Sequence, residues 1–432
     1  MLRSQMMRKI MLAALFLLAC GVAGNPTDIS TGKEVEEQLR QQLLERDERI
    51  SDLEETVKAL KSTSSREVAL RENHEENGTT VEARLAALET LVHNAGVQEM
   101  KQELAVMHEV MFDGQDTGTT AWLLVCSALV LLMTIPGLAL FYGGLVRVQN
   151  VLSTVMQSFS IACLITVMWS AFGYSLAFST GSPIFGDGNK FWLRNISMHH
   201  PHPLNPKIPE PLFVIYELMF AIITPALISG AFADRMRFGS MLLFMAVWHL
   251  VVYCPITHSM WMTDGFLFKA GILDFAGGNV VHIAAGCSGL MSSLVVGQRA
   301  GFGAENFQPH NILVSVLGAS LLWVGWLGFN GGSAGADLKL GSVAVLNTQV
   351  AAATASMTWM ITEWIIRKRP SVLGIISGSL AGLVTITPGA GYVNNTGAFV
   401  FGLLAGPVCY FAAQLKHRFG FDDALDAFGI HG

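Results

Sequence analysis

Two histidines within apolar stretches, His282 and His431, are the side chains best placed to do chemistry in this sequence. His282 follows Asp274 in an apolar segment of about 20 residues, which is long enough to cross a bilayer. If the segment is helical, His282 lies about 12 Å deeper than Asp274, near the middle of the membrane. An ionisable group at that depth indicates a transport pathway or a proton relay.

Asp274 stands just before the apolar run and has two possible roles. As an N-cap, its carboxylate would accept hydrogen bonds from backbone N–H groups and complement the helix dipole. As a pathway residue, it would act on the solute directly. We expect Asp274 to be mainly a structural cap, with the pathway role as the alternative.

The composition is that of an integral membrane protein. Of the 432 residues, 51% are hydrophobic and only 14% are charged, unlike the composition of a soluble domain.

The cysteines in apolar runs have no paired spacing, so we expect packing thiols and neither a disulfide framework nor a metal site. His199, His200 and His202 lie in a proline-rich loop without helical spacing, which favours a solvated loop over a metal site. The sequence carries no enzyme motif and gives no indication of a cofactor or of nucleic-acid binding.

The first 118 residues differ from the rest of the chain. Residues 1–24 combine a basic start, a short apolar run and small residues, which predicts a signal peptide, or a lipoprotein signal cleaved before Cys20. Export then makes residues 25–118 an extracytoplasmic region. Within it, residues 33–110 carry two interrupted blocks of apolar residues at heptad spacing. They predict a coiled coil that joins protomers, with a solvated single helix or linker as the alternative.

From residue 119 the chain is a series of apolar spans, which predicts an all-α polytopic membrane fold. Basic residues fall in alternate connections, and these become cytoplasmic if the N-terminus is outside. The signal peptide places the N-terminus on that same side, so we expect a multi-pass cell-membrane protein with an extracytoplasmic N-terminus. The expected spans are at about 121–145, 151–178, 212–233, 239–257, 275–297, 311–333, 345–366, 372–388 and 397–415, with an incomplete one from 424.

The two histidines occupy matching places in this series. His282 lies in the fifth span and His431 in the tenth, so the bundle divides into two halves of five. An odd number of spans per half forces the second half to insert upside down, and inverted repeats place a substrate path between the halves. We therefore expect His282 and His431 to face each other across that path.

Aromatic residues are placed where a cation would enter. Trp261 follows the fourth span. An indole face attracts a cation by roughly 0.5–2 kcal/mol, and a hydroxyl can accept an N–H of that cation. Phe220 in the third span and Phe329 in the sixth could form an apolar constriction, although a single aromatic is more typical of helix packing or an interfacial belt. No carboxylate ring or carbonyl filter indicates a metal-cation channel. Such a path suits a small polar solute that forms hydrogen bonds and can lose a proton.

Several motifs along residues 119–432 resemble those of the ammonium transporter (Amt/Mep/Rh) family, in the order and topology of that family. The resemblance rests on Phe141-Tyr142-Gly143-Gly144, on Ala233-Asp234-Arg235-Met236-Arg237-Phe238, on the stretch from Asp274 to His282, on Gly328-Phe329-Asn330 and on Phe428-Gly429-Ile430-His431-Gly432.

The resemblance implies an inverted five-plus-five helix repeat and a homotrimer with one path per protomer. It implies that ammonium is recruited as a cation, deprotonated and passed inward as ammonia. The residues it implies are Trp261, Phe220 and Ser333 for the outer ammonium site, Phe220 and Phe329 for the gate, His282 and His431 for the pore, and Asp274 for the acidic residue below the outer site. Trp261 together with Ser333 is similar to the Amt/Mep branch more than to the Rh branch.

Two other functions stay open, and two features depart from the family. The chain could be an ammonium sensor that signals through the outer coiled coil, or an Rh-type channel for neutral gas. The exported extension is not part of the family core. The chain also stops at Gly432, inside the tenth span, before the eleventh span and cytoplasmic tail of the family. We therefore expect a C-terminally truncated fragment that alone neither seals nor transports selectively, and regulation through the tail by a PII-type protein is in doubt.

Overall fold

The computed structural model describes residues 116–197, 201–305 and 307–432, which are mainly helical. The predicted signal peptide and heptad blocks lie outside the described residues, as do His199 and His200. The main helical segments are α1 (Thr117–Leu145), α2 (Val148–Phe178), α3 (Glu210–Ile228), α4 (Phe238–Lys269), α5 (Gly278–Val296), α6 (Ile312–Gly332), α7 (Leu338–Arg367), α8 (Val372–Gly389), α9 (Asn395–Phe419) and α10 (Ala427–His431).

The predicted all-α membrane fold is confirmed. Within the described ranges, eight helices are long and apolar enough to cross a membrane, judged by length and composition alone. The other two are α7, whose 30 residues include many small and polar side chains, and α10, which has five residues. The third span ends at Ile228, five residues earlier than predicted, because the following residues form turns that lead to Asp234 at φ 73°.

Equivalent helices of the two halves contact each other. Helix α1 packs against α6, and α5 packs against α10. Within each half, α3 contacts α5 and α8 contacts α10, as a repeat of five helices requires. Gly286 on α5 permits the close approach of α10, because a Cβ there would lie 2.3 Å from the Gly432 nitrogen. This approach brings the histidine of α10 against that of α5.

Buried ion pairs join the connections at one end of the bundle. Arg299, after α5, binds both carboxylate oxygens of Asp422, before α10, at 2.9 and 2.8 Å. Its guanidinium also lies 4.3 Å from the Phe307 ring centroid and 3.8 Å from the Asp234 carboxylate. Burial acts to raise the pKa of Asp422, but the hydrogen bonds and charge of Arg299 hold it below its ordinary value. Arg299 therefore connects the segment that links the two halves, after α5, to the segment before α10 in the second half.

Candidate functional site

Trp261 carries the outermost ring of the site and ends the continuous part of α4. The words outer and inner refer to the membrane orientation predicted from the sequence. The Trp261 indole stacks on Phe178 at 6.4 Å and meets Phe220 edge-on at 6.0 Å between ring centroids. The indole N–H donates to the backbone carbonyl of Asp274 at 3.0 Å. The carbonyl is available because the turn before α5 passes beneath the ring. This bond fixes the plane of the indole.

Ser333 is connected to the aromatic rings of the site by its contacts with Tyr216 and Phe329. Its hydroxyl donates to the Phe329 carbonyl at 2.8 Å and lies 3.4 Å from the Tyr216 hydroxyl. Tyr216 also donates to the Phe329 carbonyl at 2.8 Å, and its ring lies 5.1 Å from that of Phe220. Sequence reasoning missed Tyr216, although its place one turn before Phe220 on α3 was a usable signal.

Phe220 and Phe329, the predicted gate, are in direct contact. Their ring centroids are 4.3 Å apart, and the two side chains are 1% and 0% exposed. Neither ring offers a hydrogen bond, so a hydrated cation would find no replacement for its water ligands between them.

The two histidines lie directly beyond this contact. The His282 ring is 6.1 Å from that of Phe329, and its Nδ1 lies 3.2 Å from Nδ1 of His431. Because one nitrogen must donate and the other accept, only one of the two rings carries a proton on Nδ1. Nε2 of His282 is buried without a hydrogen-bond partner among the described residues. Trp326, which sequence reasoning missed, stacks on His282 at 5.3 Å and is held by Thr387.

Aspartates cap both histidine-bearing helices. The Asp274 carboxylate accepts four hydrogen bonds, from the N–H groups of residues 277–280 at 2.6–3.2 Å. Asp423 accepts three, from residues 427–429 at 2.8–3.4 Å. Each aspartate stands eight residues before its histidine. The cap at Asp274 was predicted; the one at Asp423 was missed, although the equal spacing was visible in the sequence.

Burial shapes the electrostatics of both caps. It raises the pKa of the Asp274 carboxyl, while the backbone N–H groups that Asp274 accepts act in the opposite direction. Burial also raises the pKa of Asp423, and the nearby charge of Asp426 adds to this effect. The amides that Asp274 caps oppose this rise in pKa, whereas at Asp423 the charge of Lys416 opposes it first and the capped amides second.

His202 corrects the prediction of a solvated histidine loop. It is 2% exposed and stacks on Phe213 at 4.5 Å. Its Nε2 lies 2.8 Å from the Phe178 carbonyl, and its Nδ1 accepts the Leu204 N–H at 3.2 Å, so both nitrogens are occupied. Burial lowers the pKa of His202. His202 belongs to the aromatic packing behind Trp261, and the described residues contain no cluster suited to a metal ion.

The comparison with family models decides the classification. Residues 121–432 match the model described as Ammonium Transporter Family. The chain belongs to the ammonium transporter family. The match begins at residue 121, and the resemblance seen in the sequence begins at residue 119. Membership confirms a multi-pass membrane protein and implies that this ammonium transporter family member is not an enzyme.

Curated relatives and solved structures agree with this assignment. The "Ammonium transporter" of Bacillus subtilis (strain 168) is 47% identical over 319 residues, which cover 73% of this chain and 77% of that protein. Candida albicans Mep2 is 37% identical, with a TM-score of 0.70 over 74% of this chain and 71% of that one. A structure titled "Sensor Amt Protein" is 26% identical, with a TM-score of 0.68 over 73% and 79% of the respective chains.

Proposed function

We propose that the protein transports ammonium across the cell membrane, taking it up as a cation at an outer aromatic site and passing it inward as ammonia. The observation that carries this proposal is the unbroken line of rings from Trp261 through Phe220 and Phe329 to the histidine pair. Neighbouring rings in this line are 6.0, 4.3, 6.1 and 5.2 Å apart. The family's name and those of the relatives agree with ammonium as the solute.

The order of the rings suggests the sequence of events. The Trp261 face attracts ammonium by roughly 0.5–2 kcal/mol, and the Ser333 hydroxyl can accept one of its N–H groups. The Phe220–Phe329 contact then excludes the cation, so ammonium must lose a proton to pass. Beyond it, the unpaired Nε2 of His282 offers ammonia a hydrogen bond where water is absent. Asp274 fixes the positions of Trp261 and of the start of α5 through hydrogen bonds, so its role in the path is indirect.

A homotrimer with an extracytoplasmic N-terminus is part of the same proposal. Gln349 is exposed on α7, where it accepts the Trp323 indole N–H at 3.0 Å. An amide on a lipid-facing surface is costly, and a second copy of the chain would cover it. Native mass spectrometry of the complete protein from detergent should give three copies; a monomer or dimer would contradict this part of the proposal.

The test of transport compares the complete protein with its Trp261→Leu variant in sealed vesicles. We expect saturable uptake of radiolabelled methylammonium, half-saturated at about 2- to 30-fold higher concentration in the variant, because the cation–π face is lost. Trp364→Leu is the matched control, since Trp364 is 55% exposed on α7, away from the ring line. Uptake that does not saturate would favour a neutral-gas channel of Rh type and contradict the proposed cation site.

A sensor is the second candidate, because the chain shares its fold with a structure titled "Sensor Amt Protein". The coiled coil predicted at residues 33–110 would give such a protein a route for signals between protomers. The same vesicles separate the two functions: a transporter binds ammonium and moves it, whereas a sensor binds ammonium without flux. Binding without flux in the complete protein would therefore replace transport by sensing.

A further inference from the structure

One buried histidine close to the outer site has no part in the ring line. His258 is 0% exposed and lies three residues before Trp261, about one turn earlier on α4. Its Nδ1 lies 3.1 Å from the Ala177 carbonyl oxygen, and its Nε2 lies 2.8 Å from the Ser182 carbonyl oxygen. Oδ1 of Asp264 lies 3.3 Å from the same Nε2. Both ring nitrogens of His258 therefore face oxygen acceptors.

Acceptors on both sides decide how many protons this ring carries. A neutral imidazole has one N–H donor and one lone pair, so one of its nitrogens must accept. A lone pair on Nδ1 would face the Ala177 oxygen, and a lone pair on Nε2 would face the oxygens of Ser182 and Asp264. Because only an imidazolium donates from both nitrogens, it is the form of His258 that all three oxygens stabilise.

The elements that supply these oxygens favour a positive charge as well. Ala177 belongs to the last turn of α2, where unpaired carbonyl groups give the helix end a partial negative charge. Asp264 accepts the Gly181 N–H at 2.9 Å through Oδ2, but its Oδ1 is buried and forms no hydrogen bond among the described residues. A positive ring at 3.3 Å offsets the cost of burying that oxygen.

The contacts of His258 connect this ring to the outer site. Ala177 and Ser182 lie on either side of Phe178 in the sequence, and Phe178 stacks on Trp261 at 6.4 Å. His258 stands on the same helix as Trp261, so its two hydrogen bonds attach both flanks of Phe178 to that helix. The spacing between the two stacked rings therefore depends on a side chain that contacts neither the gate nor the histidine pair.

We propose that His258 is an imidazolium and that, as a positioning residue, it fixes the Phe178–Trp261 stack of the outer ammonium site. The charge of the ring follows from its own contacts, whereas its effect on ammonium rests on the proposed function. Asp264 balances the charge locally. Without the second proton, one nitrogen would repel an oxygen that it now binds, and the segment around Phe178 would no longer be fixed to α4.

The charge is tested by solid-state NMR of the complete protein in lipid at neutral pH, with isotopically labelled histidine nitrogens. Protonated and unprotonated ring nitrogens resonate at different chemical shifts, so the two forms of the ring are distinguished. We expect a doubly protonated signal that is absent in His258→Gln and weaker in Asp264→Asn, which removes the carboxylate. His202→Gln is the matched control and should keep that signal, because His202 accepts an N–H at one of its nitrogens.

The positioning role is tested by the Kd for ammonium, measured by calorimetry on the same proteins in detergent. His258→Gln should raise the Kd by about threefold, since an amide cannot donate to both carbonyl groups from two separate atoms. Asp264→Asn should raise it in the same direction, because the ring then loses the charge that stabilises it. Asp187→Asn is the matched control: it removes a carboxylate of the same outer loop that accepts the Asn189 N–H, and the Kd should not change.

The outcomes separate this inference from the transport function. If His258→Gln removes no doubly protonated signal, the assigned charge is wrong; if it removes the signal but leaves the Kd unchanged, the positioning role is wrong. Neither measurement depends on flux, so a wild type that binds ammonium without methylammonium uptake would remove transport and leave both readouts valid. If His258→Gln does not fold, Asp264→Asn decides, because an unchanged signal and Kd in that variant also overturn the inference.

Discussion

His282 and His431 share one hydrogen bond but have different neighbours. His282 lies against both Trp326 and Phe329, whereas His431 ends a short helix against α5. Removing either ring breaks the Nδ1–Nδ1 bond, and it leaves the helix contacts at Gly286 in place. The histidine pair can therefore be altered without altering the fold.

We predict that His282→Ala or His431→Ala in the complete protein lowers methylammonium flux by about fivefold or changes its pH dependence, while the protein still assembles. The physical reason is the loss of a hydrogen bond worth about 1 kcal/mol at a site where water offers no replacement. His417→Ala, on the exposed inner end of α9, is the control. Flux and pH dependence measured in vesicles, with size-exclusion chromatography, check the prediction; unaltered transport in both variants would remove the histidines from the path.

The sequence suggested those site residues whose place along a span carries information. His282 and His431 were found because they occupy matching spans, and Trp261 because it stands at a span end. Tyr216 and Trp326 were missed, since an aromatic residue within a span looks the same whether it faces a path or a neighbouring helix. Their contacts depend on how α3 and α6 are rotated against each other, which the composition of single spans does not determine.

The capping aspartates show how a helical element positions a functional side chain. Asp274 fixes the start of α5, where Gly277 adopts φ 101°, a conformation that favours glycine. Asp423 does the same for α10. Sequence reasoning identified only the first of these caps, although the shared eight-residue spacing from aspartate to histidine singles out Asp423 from Asp422 and Asp426. The structure assigns the cap to Asp423 and the ion pair to Asp422.

We predict that Asp274→Ala destabilises the protein by about 3 kcal/mol or more, because four buried N–H groups lose a charged acceptor. Asp337→Ala is the matched control: Asp337 caps α7 through two N–H groups but is exposed, so the cost there should be about 1 kcal/mol. Denaturant unfolding in detergent measures both values. Equal costs would show that Asp274 is not mainly a cap and would favour its alternative role in the path.

At the scale of the whole molecule, the fold was largely predictable because hydrocarbon permits few backbone structures. The predicted spans agree with the helices to within a few residues along most of the chain. Helix α7 is the exception in composition, and its contacts with α8 and α9 explain why small and polar residues such as Asn347 and Ser356 are accommodated in it. The buried ion pair of Arg299 with Asp422 at the inner end was not predicted, since its partners are separated by 123 residues.

The last prediction concerns this junction. Arg299→Leu leaves the buried Asp422 without its two-point partner, so we expect a loss of about 3–5 kcal/mol in unfolding free energy. Arg299→Lys should lose less, because it keeps the charge but not the planar fork. The pKa of Asp422 is lowered in the folded state, so the ion pair stabilises the protein fully at pH values above the ordinary aspartate pKa. Its contribution disappears as the pH falls through the lowered value.

Arg367→Leu is the control for Arg299→Leu, since Arg367 is 54% exposed and lies 3.7 Å from its partner Glu363. Because Arg367 is exposed and Glu363 keeps its hydrogen bonds from Ser371, this variant should cost only about 0–1 kcal/mol. Replacing both members of the buried pair, in Arg299→Leu with Asp422→Leu, should recover only part of the loss. The buried Asp422 carboxylate is then removed together with its partner, but Arg235 loses its own contact with Asp422 at 3.7 Å. If Arg299→Leu proves no more costly than Arg367→Leu, the two halves are held together by helix packing alone.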